Sequence, residues 1–286
     1  LFRTYYQLTK PGIIYGNLLT AAAGFLLASA VARHIDLWLL LATLAGTSLV
    51  IASACVCNNY IDRGIDRKMA RTKKRALVAG LVPARNALIY GALLGVLGFL
   101  VRGLWVNSLV VAIGVIAFVD YVALYGLAKR RSIHSTLVGS ISGAAPITAG
   151  YCAVTGRLDT GALLVFLMLV LWQMPHFYAI AMYRFDDYKA AGLPVLTVKR
   201  GMHSAKVQIL LYVVAFIFAC AALTVFGYTG YVYLAVMLIV GLVWLRLGLQ
   251  GLKTADDKAW ARKMFFFSLI VILVLSAMVS VGALLP

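Results

Sequence analysis

Asn58, Asp62 and Asp66 stand four residues apart in the run Asn58-Asn59-Tyr60-Ile61-Asp62-Arg63-Gly64-Ile65-Asp66. On a helix this spacing puts the three side chains on one face, one turn above another. Two carboxylates and an amide oxygen so arranged form a hard-oxygen site. Mg2+ prefers such sites, completing its shell with waters and substrate phosphate. Arg67, Lys68, Arg71, Lys73, Lys74 and Arg75 follow directly. Acids that hold a cation beside bases that grip an anion point to a metal–diphosphate complex. A solvated basic loop with Asp–Arg pairs fits the same charges, and only the spacing favours the ligand reading.

Other segments carry chemistry less sharply. Asp186 and Asp187 are a second carboxylate pair, but adjacent side chains on a helix diverge by about 100°, so one of the two is expected at a shared metal. Tyr125 and Lys129 share a helix face, where a hydroxyl and an ammonium can stabilise a departing diphosphate. An interfacial tyrosine followed by basic residues at a span end fits them too. Gln173, Pro175 and His176 fall within about one turn of an apolar run, which is costly unless they face a bundle interior. His176 is a candidate metal-centre ligand, base or simple hydrogen-bonding group. The run Gly139 to Pro146 has small residues at three- and four-residue spacing, as a packing surface or a cavity wall would. Asp120 is an isolated acid in an apolar run, with no partner assigned from the sequence.

These residues need a membrane to position them. Of 286 residues, 63% are apolar and 12% charged, and the mean hydropathy is +0.96. Soluble domains are about 45–50% apolar and about 25% charged, so a soluble globular protein is excluded, as is a disordered chain. Nine apolar runs approach the length a bilayer requires: 13–32, 37–57, 87–101, 109–128, 137–155, 162–183, 207–226, 231–249 and 264–285. The third is short and lies between Arg85 and Arg102, whose side chains are expected to snorkel to the two interfaces. The first leads straight into further spans and reads as a structural helix, not a removable signal. No long polar stretch separates the runs, so residues 1–286 read as a single integral-membrane domain.

The chain carries 26 Lys and Arg against nine acids, all Asp, for a net charge of +17. In a soluble chain this balance would suggest nucleic acid. Here the bases sit in short loops between spans, which points to orientation and to anionic ligands, with no nucleic acid involved. With the N-terminus inside, only Arg33, Arg102 and Arg157 lie on the outer side, and the other 23 of 26 are inside. That asymmetry predicts a cytoplasmic N-terminus and catalytic loops, with the C-terminus outside. The four cysteines lie in apolar stretches and show no metal-ligand or disulfide spacing.

The ladder Asn58-x-x-x-Asp62-x-x-x-Asp66, the run Tyr125-x-x-x-Lys129-Arg130 and the nine spans resemble the UbiA superfamily of intramembrane prenyltransferases. Within it, the chain is most similar to the heme-modifying branch. The supporting segments are Thr9-Lys10-Pro11-Gly12-Ile13, Asp66-Arg67-Lys68-Met69-Ala70-Arg71-Thr72, Gly143-Ala144-Ala145-Pro146, Trp172-Gln173-Met174-Pro175-His176-Phe177 and Asp187-Tyr188-Lys189-Ala190-Ala191-Gly192-Leu193-Pro194. The resemblance implies an all-α polytopic membrane protein, nine transmembrane helices around a central cavity, in the bacterial inner (cytoplasmic) membrane. It implies farnesyl diphosphate as donor, heme b as acceptor and Mg2+ as cofactor, with heme a substrate and not a cofactor. Hand-over of the product to heme A synthase or a terminal oxidase is a further implication. In that picture Asn58, Asp62 and Asp66 hold the metal, and Asp187 or Asp186 supplies the second acidic motif. Arg67, Lys73, Arg75, Lys129 and Arg130 contact diphosphate, Tyr125 lies beside the leaving group, and His176 holds the heme. Two departures stand out. The superfamily's second motif often has acids four apart, whereas Tyr183 stands four before Asp187, and Ile147 follows Pro146 where the branch commonly repeats proline. A quinone or chlorin precursor as acceptor, or a heme-binding transporter, are the competing expectations.

Overall fold

A short helix α1 (Phe2–Leu8) precedes α2 (Pro11–Ala32), which opens on a proline whose missing N–H costs nothing at a first turn. The computed structural model describes residues 2–286. α3 (Leu37–Asp66) is capped by Asp36, which accepts from the Leu39 amide at 2.9 Å. It runs unbroken for 30 residues, about 45 Å at 1.5 Å per residue. α4 (Ala84–Trp105) follows a loop of turns. The fourth span is composite: α5 (Ser108–Val119), a π-helical turn (Asp120–Leu124) and α6 (Tyr125–Arg131). α7 (Ser135–Thr155) and α8 (Thr160–Tyr183) each contain a proline. Then come the short α9 (Phe185–Ala190), α10 (Leu196–Val225), α11 (Tyr231–Gln250) and α12 (Asp257–Val281). Within α10, Gly201 at φ +82° breaks the helix into a short first turn and a long span.

Among the described residues, nine helices are long and apolar enough to cross a membrane. Leu93, Leu97, Ile116 and Phe218 are all more than half exposed on its outside, where lipid would cover them. Asp36, Asp159 and Asp256 each accept a backbone amide at a helix start. Their role is structural, which removes three of the nine acids from the candidates.

The core gathers side chains from α2, α7, α8, α10, α11 and α12, including Phe25, Tyr151, Met168, Phe216 and Trp244. α2 and α7 come close enough that a Cβ at Gly150 would fall on the Ala21 carbonyl oxygen, and one at Gly24 on that of Ile147. Small residues permit this backbone approach where lipid gives no hydrophobic drive for association. The small-residue run in α7 is thus a packing surface: Gly143 leaves room for the Gln173 side chain, which donates to the Ser140 carbonyl at 3.1 Å.

One boundary differs from the sequence expectation. Arg102 does not snorkel outward; it lies inside α4 and is 3% exposed. Its guanidinium donates to the Val110 carbonyl at 3.3 Å and the Thr47 hydroxyl at 3.0 Å. It fits because Gly114 has no Cβ, which would otherwise collide with Nη1. Polar acceptors and a glycine notch turn this side chain inward, and the helix extends past it.

Because α2 and α7 meet backbone to backbone, Gly150→Val is expected to lower unfolding stability by about 2 kcal/mol. Gly12→Ala faces open space and should be silent. Thermal denaturation in detergent checks both.

Candidate functional site

The ladder lies on the last two and a half turns of α3, not on a loop. Asn58, Asp62 and Asp66 are 3%, 1% and 2% exposed. Burying two carboxylates requires compensation, and four bases from three separate segments supply it. Lys129 of α6 donates to Asp62 Oδ2 at 2.7 Å, and Arg130 reaches Asp62 Oδ1 at 3.5 Å and the Ile61 carbonyl at 2.8 Å. Arg75 donates to Asp66 Oδ2 at 2.7 Å. Asn58 Nδ2 donates to Asp62 Oδ2 at 3.1 Å, leaving Asn58 Oδ1 to accept from Lys10 Nζ at 2.7 Å. Four cations against two carboxylates leave an excess of two positive charges around the ladder.

Lys10 is the site residue that sequence reasoning missed. It is the residue before Pro11, at φ +53° and ψ +65°, a left-handed conformation that costs a non-glycine residue about 1–3 kcal/mol. Burial pushes its ammonium down to about 8, with Arg75 and Lys129 adding to that direction. The sequence signals were its place in the family-like segment Thr9-Lys10-Pro11-Gly12-Ile13 and directly before the first span's proline. Its aim depends on backbone strain that residue types do not encode.

The second polar loop docks onto the first. Asp187 Oδ1 accepts from the Ala70 amide at 3.1 Å. Beside it Met69, Ala191 and Leu193 form a small buried cluster with Ile65 and Tyr188 packed against them. Burial raises the Tyr188 phenol above its ordinary value. Asp186 faces the other way. Its side chain is 78% exposed and pairs with Lys258 of α12 at 2.6 Å. The two adjacent acids therefore divide, one holding the loop and one on the surface. Arg67 and Lys73 are exposed on that loop, and Arg75 is half-buried.

Tyr125 stacks on Tyr121, with ring centroids 5.8 Å apart and 18° between planes, and Lys129 Nζ stands 5.9 Å from the Tyr125 ring. α7 receives that ring at Gly139, where a Cβ would come within 2.8 Å of it.

His176 joins none of these contacts. It is 9% exposed, stacks on Trp172 at 4.8 Å and packs against Phe177 and Phe265. Its Nδ1 lies 2.7 Å from Ser268 Oγ, and Ser268 Oγ donates its single proton to the Phe265 carbonyl at 2.6 Å. Nδ1 must then be the donor to Ser268, which places the lone pair on Nε2.

The ladder's donor set consists of two carboxylates and one amide oxygen, all buried and all on one helix face. Hard oxygens of this kind suit Mg2+. Lys10, Arg75, Lys129 and Arg130 suit the phosphate oxygens such an ion would bring. Since the Asp187 contact ties the basic loop down, Asp187→Ala should free it. Trypsin is then expected to cut at Arg71, Lys73 or Lys74 several-fold faster in native membranes, scored by peptide mapping. Unchanged cleavage would show that the carboxylate does not hold the loop.

The profile of the UbiA prenyltransferase family matches residues 17–270. The protoheme IX farnesyltransferase of Klebsiella pneumoniae subsp. pneumoniae is 53% identical over 287 residues, spanning 100% of this chain and 97% of the relative. The enzyme of the same name from Shigella flexneri is 52% identical, spanning 100% and 96%. Among solved structures, digeranylgeranylglyceryl phosphate synthase superposes with a TM-score of 0.81 at 21% identity, over 99% of this chain and 98% of that one. A UbiA homologue from Archaeoglobus fulgidus, bound to GPP and Mg2+, superposes with a TM-score of 0.73 at 16% identity, over 97% and 99%. The nine-helix arrangement and the full-length identity agree: this chain belongs to the UbiA prenyltransferase family.

Proposed function

We propose that this chain transfers a farnesyl group from farnesyl diphosphate to a vinyl group of heme b, giving heme O and diphosphate. The observation that carries the reading is the buried ladder Asn58–Asp62–Asp66 inside an excess of positive charge. A bare cation meets net repulsion there, and a bare polyanion meets two carboxylates. A cation–diphosphate complex satisfies both sets of partners at once. Full-length identity above 50% to enzymes named protoheme IX farnesyltransferase supports the choice of donor and acceptor.

Asn58, Asp62 and Asp66 would hold Mg2+, which when bound supplies Lewis-acid neutralisation of the leaving diphosphate. Lys10, Arg75, Lys129 and Arg130, each within reach of the ladder, bind phosphate oxygens and hold the head group in place. Exposed Arg67 and Lys73 add to the attracting field at the mouth. Tyr125, packed into the Gly139 notch, places its phenol beside the leaving oxygen. The C1–O bond of the donor breaks with its electron pair going to diphosphate. The vinyl π pair then forms the new bond to C1, and the cation left next to the porphyrin ring takes up water and loses a proton to give the hydroxyethylfarnesyl group. An apolar helix bundle keeps water from the allylic cation until the vinyl group reacts. His176, with its lone pair on Nε2 and its ring fixed by Ser268 and Trp172, orients the heme.

In this reading residues 1–286 act as one membrane domain. The ladder end faces the cytoplasm, as 23 of 26 bases on that side would require, and the product passes to heme A synthase or a terminal oxidase.

Purified protein with heme b, farnesyl diphosphate and Mg2+ should yield a product with the mass of heme O. EDTA should abolish turnover and Mg2+ restore it. Asp66→Asn is expected to lose about 100-fold in kcat. Wild-type speed in that variant would end the metal assignment, and product from a quinone precursor but not from heme b would overturn the acceptor.

A further inference from the structure

Asp120 has no part in the mechanism above, yet it is 2% exposed in the middle of the fourth span. Its Oδ2 accepts from the Ser142 backbone amide of α7 at 3.1 Å, and its Oδ1 is buried without a partner. A carboxyl held this deep in a membrane bundle is costly, so its placement needs a reason. Two features give one. Asp120 opens the π-helical turn, in which the Tyr125 amide donates to the Asp120 carbonyl five residues back. Four residues beyond Ser142 stands Pro146, which has no N–H to return to the Ser142 carbonyl. The helical bond lost at Pro146 thus falls on the carbonyl of the same residue whose amide Asp120 holds.

The wide turn changes which way the end of the span faces. At 100° per residue, Lys129 would lie about 100° round the helix from Val110 in a uniform α-helix, nineteen residues on. One extra residue in a single turn removes about that angle. Val110 and Gly114, by which α5 packs inward, are buried. Lys129 thus comes onto the same inward face, where it meets Asp62 at 2.7 Å. Tyr125, lying on Gly139 one turn nearer the basic end than Ser142, is the second point of attachment.

We infer that Asp120 is a positioning residue: by holding the Ser142 amide it fixes the wide turn that rotates Tyr125 and Lys129 onto the aspartate ladder. That these two groups serve diphosphate departure rests on the proposed function, whereas the rotation itself does not. The role requires an acceptor oxygen and not a charge, so asparagine should replace aspartate.

Two readouts test this. First, carbodiimide treatment of the substrate-free protein should join Lys129 to Asp62 as an amide, quantified by mass spectrometry. The yield is expected to fall at least about fivefold in Asp120→Ala and to stay within about twofold of wild type in Asp120→Asn. Gly139→Ala, which presses on the Tyr125 ring from the other side, should lower the yield in the same way, and it serves where Asp120→Ala fails to accumulate. Second, Asp120→Ala should lower kcat for farnesyl transfer by about 10- to 100-fold. Added to Lys129→Met it should cost less than about twofold more, because both changes remove one function. Wild-type cross-linking in Asp120→Ala, or full multiplication of the two losses in the double variant, would overturn the inference. A wild type that cross-links as described but makes no heme O would overturn the functional reading and leave the positioning role standing.

Discussion

Two carboxylates in a low-dielectric interior need counter-charges at contact distance, and those counter-charges lie far apart in the chain. Asp62 and Asp66 draw in Lys10 from the start of α2 by way of Asn58, Arg75 from the loop, and Lys129 and Arg130 from the end of the fourth span. Removing one side of such a buried pair leaves an uncompensated charge, a loss of about 3–5 kcal/mol. The basic end of the bundle is therefore assembled around the ladder. This also accounts for α3 continuing as a helix past the apolar run: on a flexible loop the three oxygens would not stay on one face.

In the proposed reading, the surplus of positive charge suits that assembly to an anionic ligand as well as to its role as a scaffold. Ion pairs alone would be complete with two bases. The additional pair raises the local potential, and partial burial limits screening by salt. In the proposed reading, substrate phosphates draw Arg75, Lys129 and Arg130 away from the aspartates they now contact, which frees carboxylate oxygens for the ion that arrives with the phosphates.

Much of this could be read from residue types. The ladder was legible because polar residues at a spacing of four stand out at the end of an apolar run, and the spans were legible because hydrocarbon thickness sets their length. Other features escaped for identifiable reasons. The inward turn of Arg102 depends on the Gly114 notch and on acceptors from α3 and α5, all distant in sequence. Lys10 depends on a strained backbone. The division of Asp186 from Asp187 was expected in kind, since neighbours on a helix diverge, but which one faces Lys258 is a tertiary fact. The wide turn after Val119 has no compositional mark: Asp120-Tyr121-Val122-Ala123-Leu124 would serve equally well in an ordinary helix. Without it, the pairing of Tyr125 with Lys129 is predicted correctly while their common direction is not.

His176 shares no contact with the ladder, and the proposed substrates give each region its own part. The ladder occupies the end of α3, and His176 lies seven residues inside the end of α8, about 10 Å along the helix. A prenyl diphosphate is itself divided, with a charged head and an apolar tail, and so is heme, with propionates at one edge and vinyl groups at the other. A site for both must hold their charged parts where bases can reach water and their reacting carbons where water cannot. The boundary of a bilayer offers the two environments side by side. In the proposed reading, the ladder at the last turns of α3 serves the charged heads, and the aromatic-lined histidine about two turns inside the end of α8 serves the apolar side of the reaction.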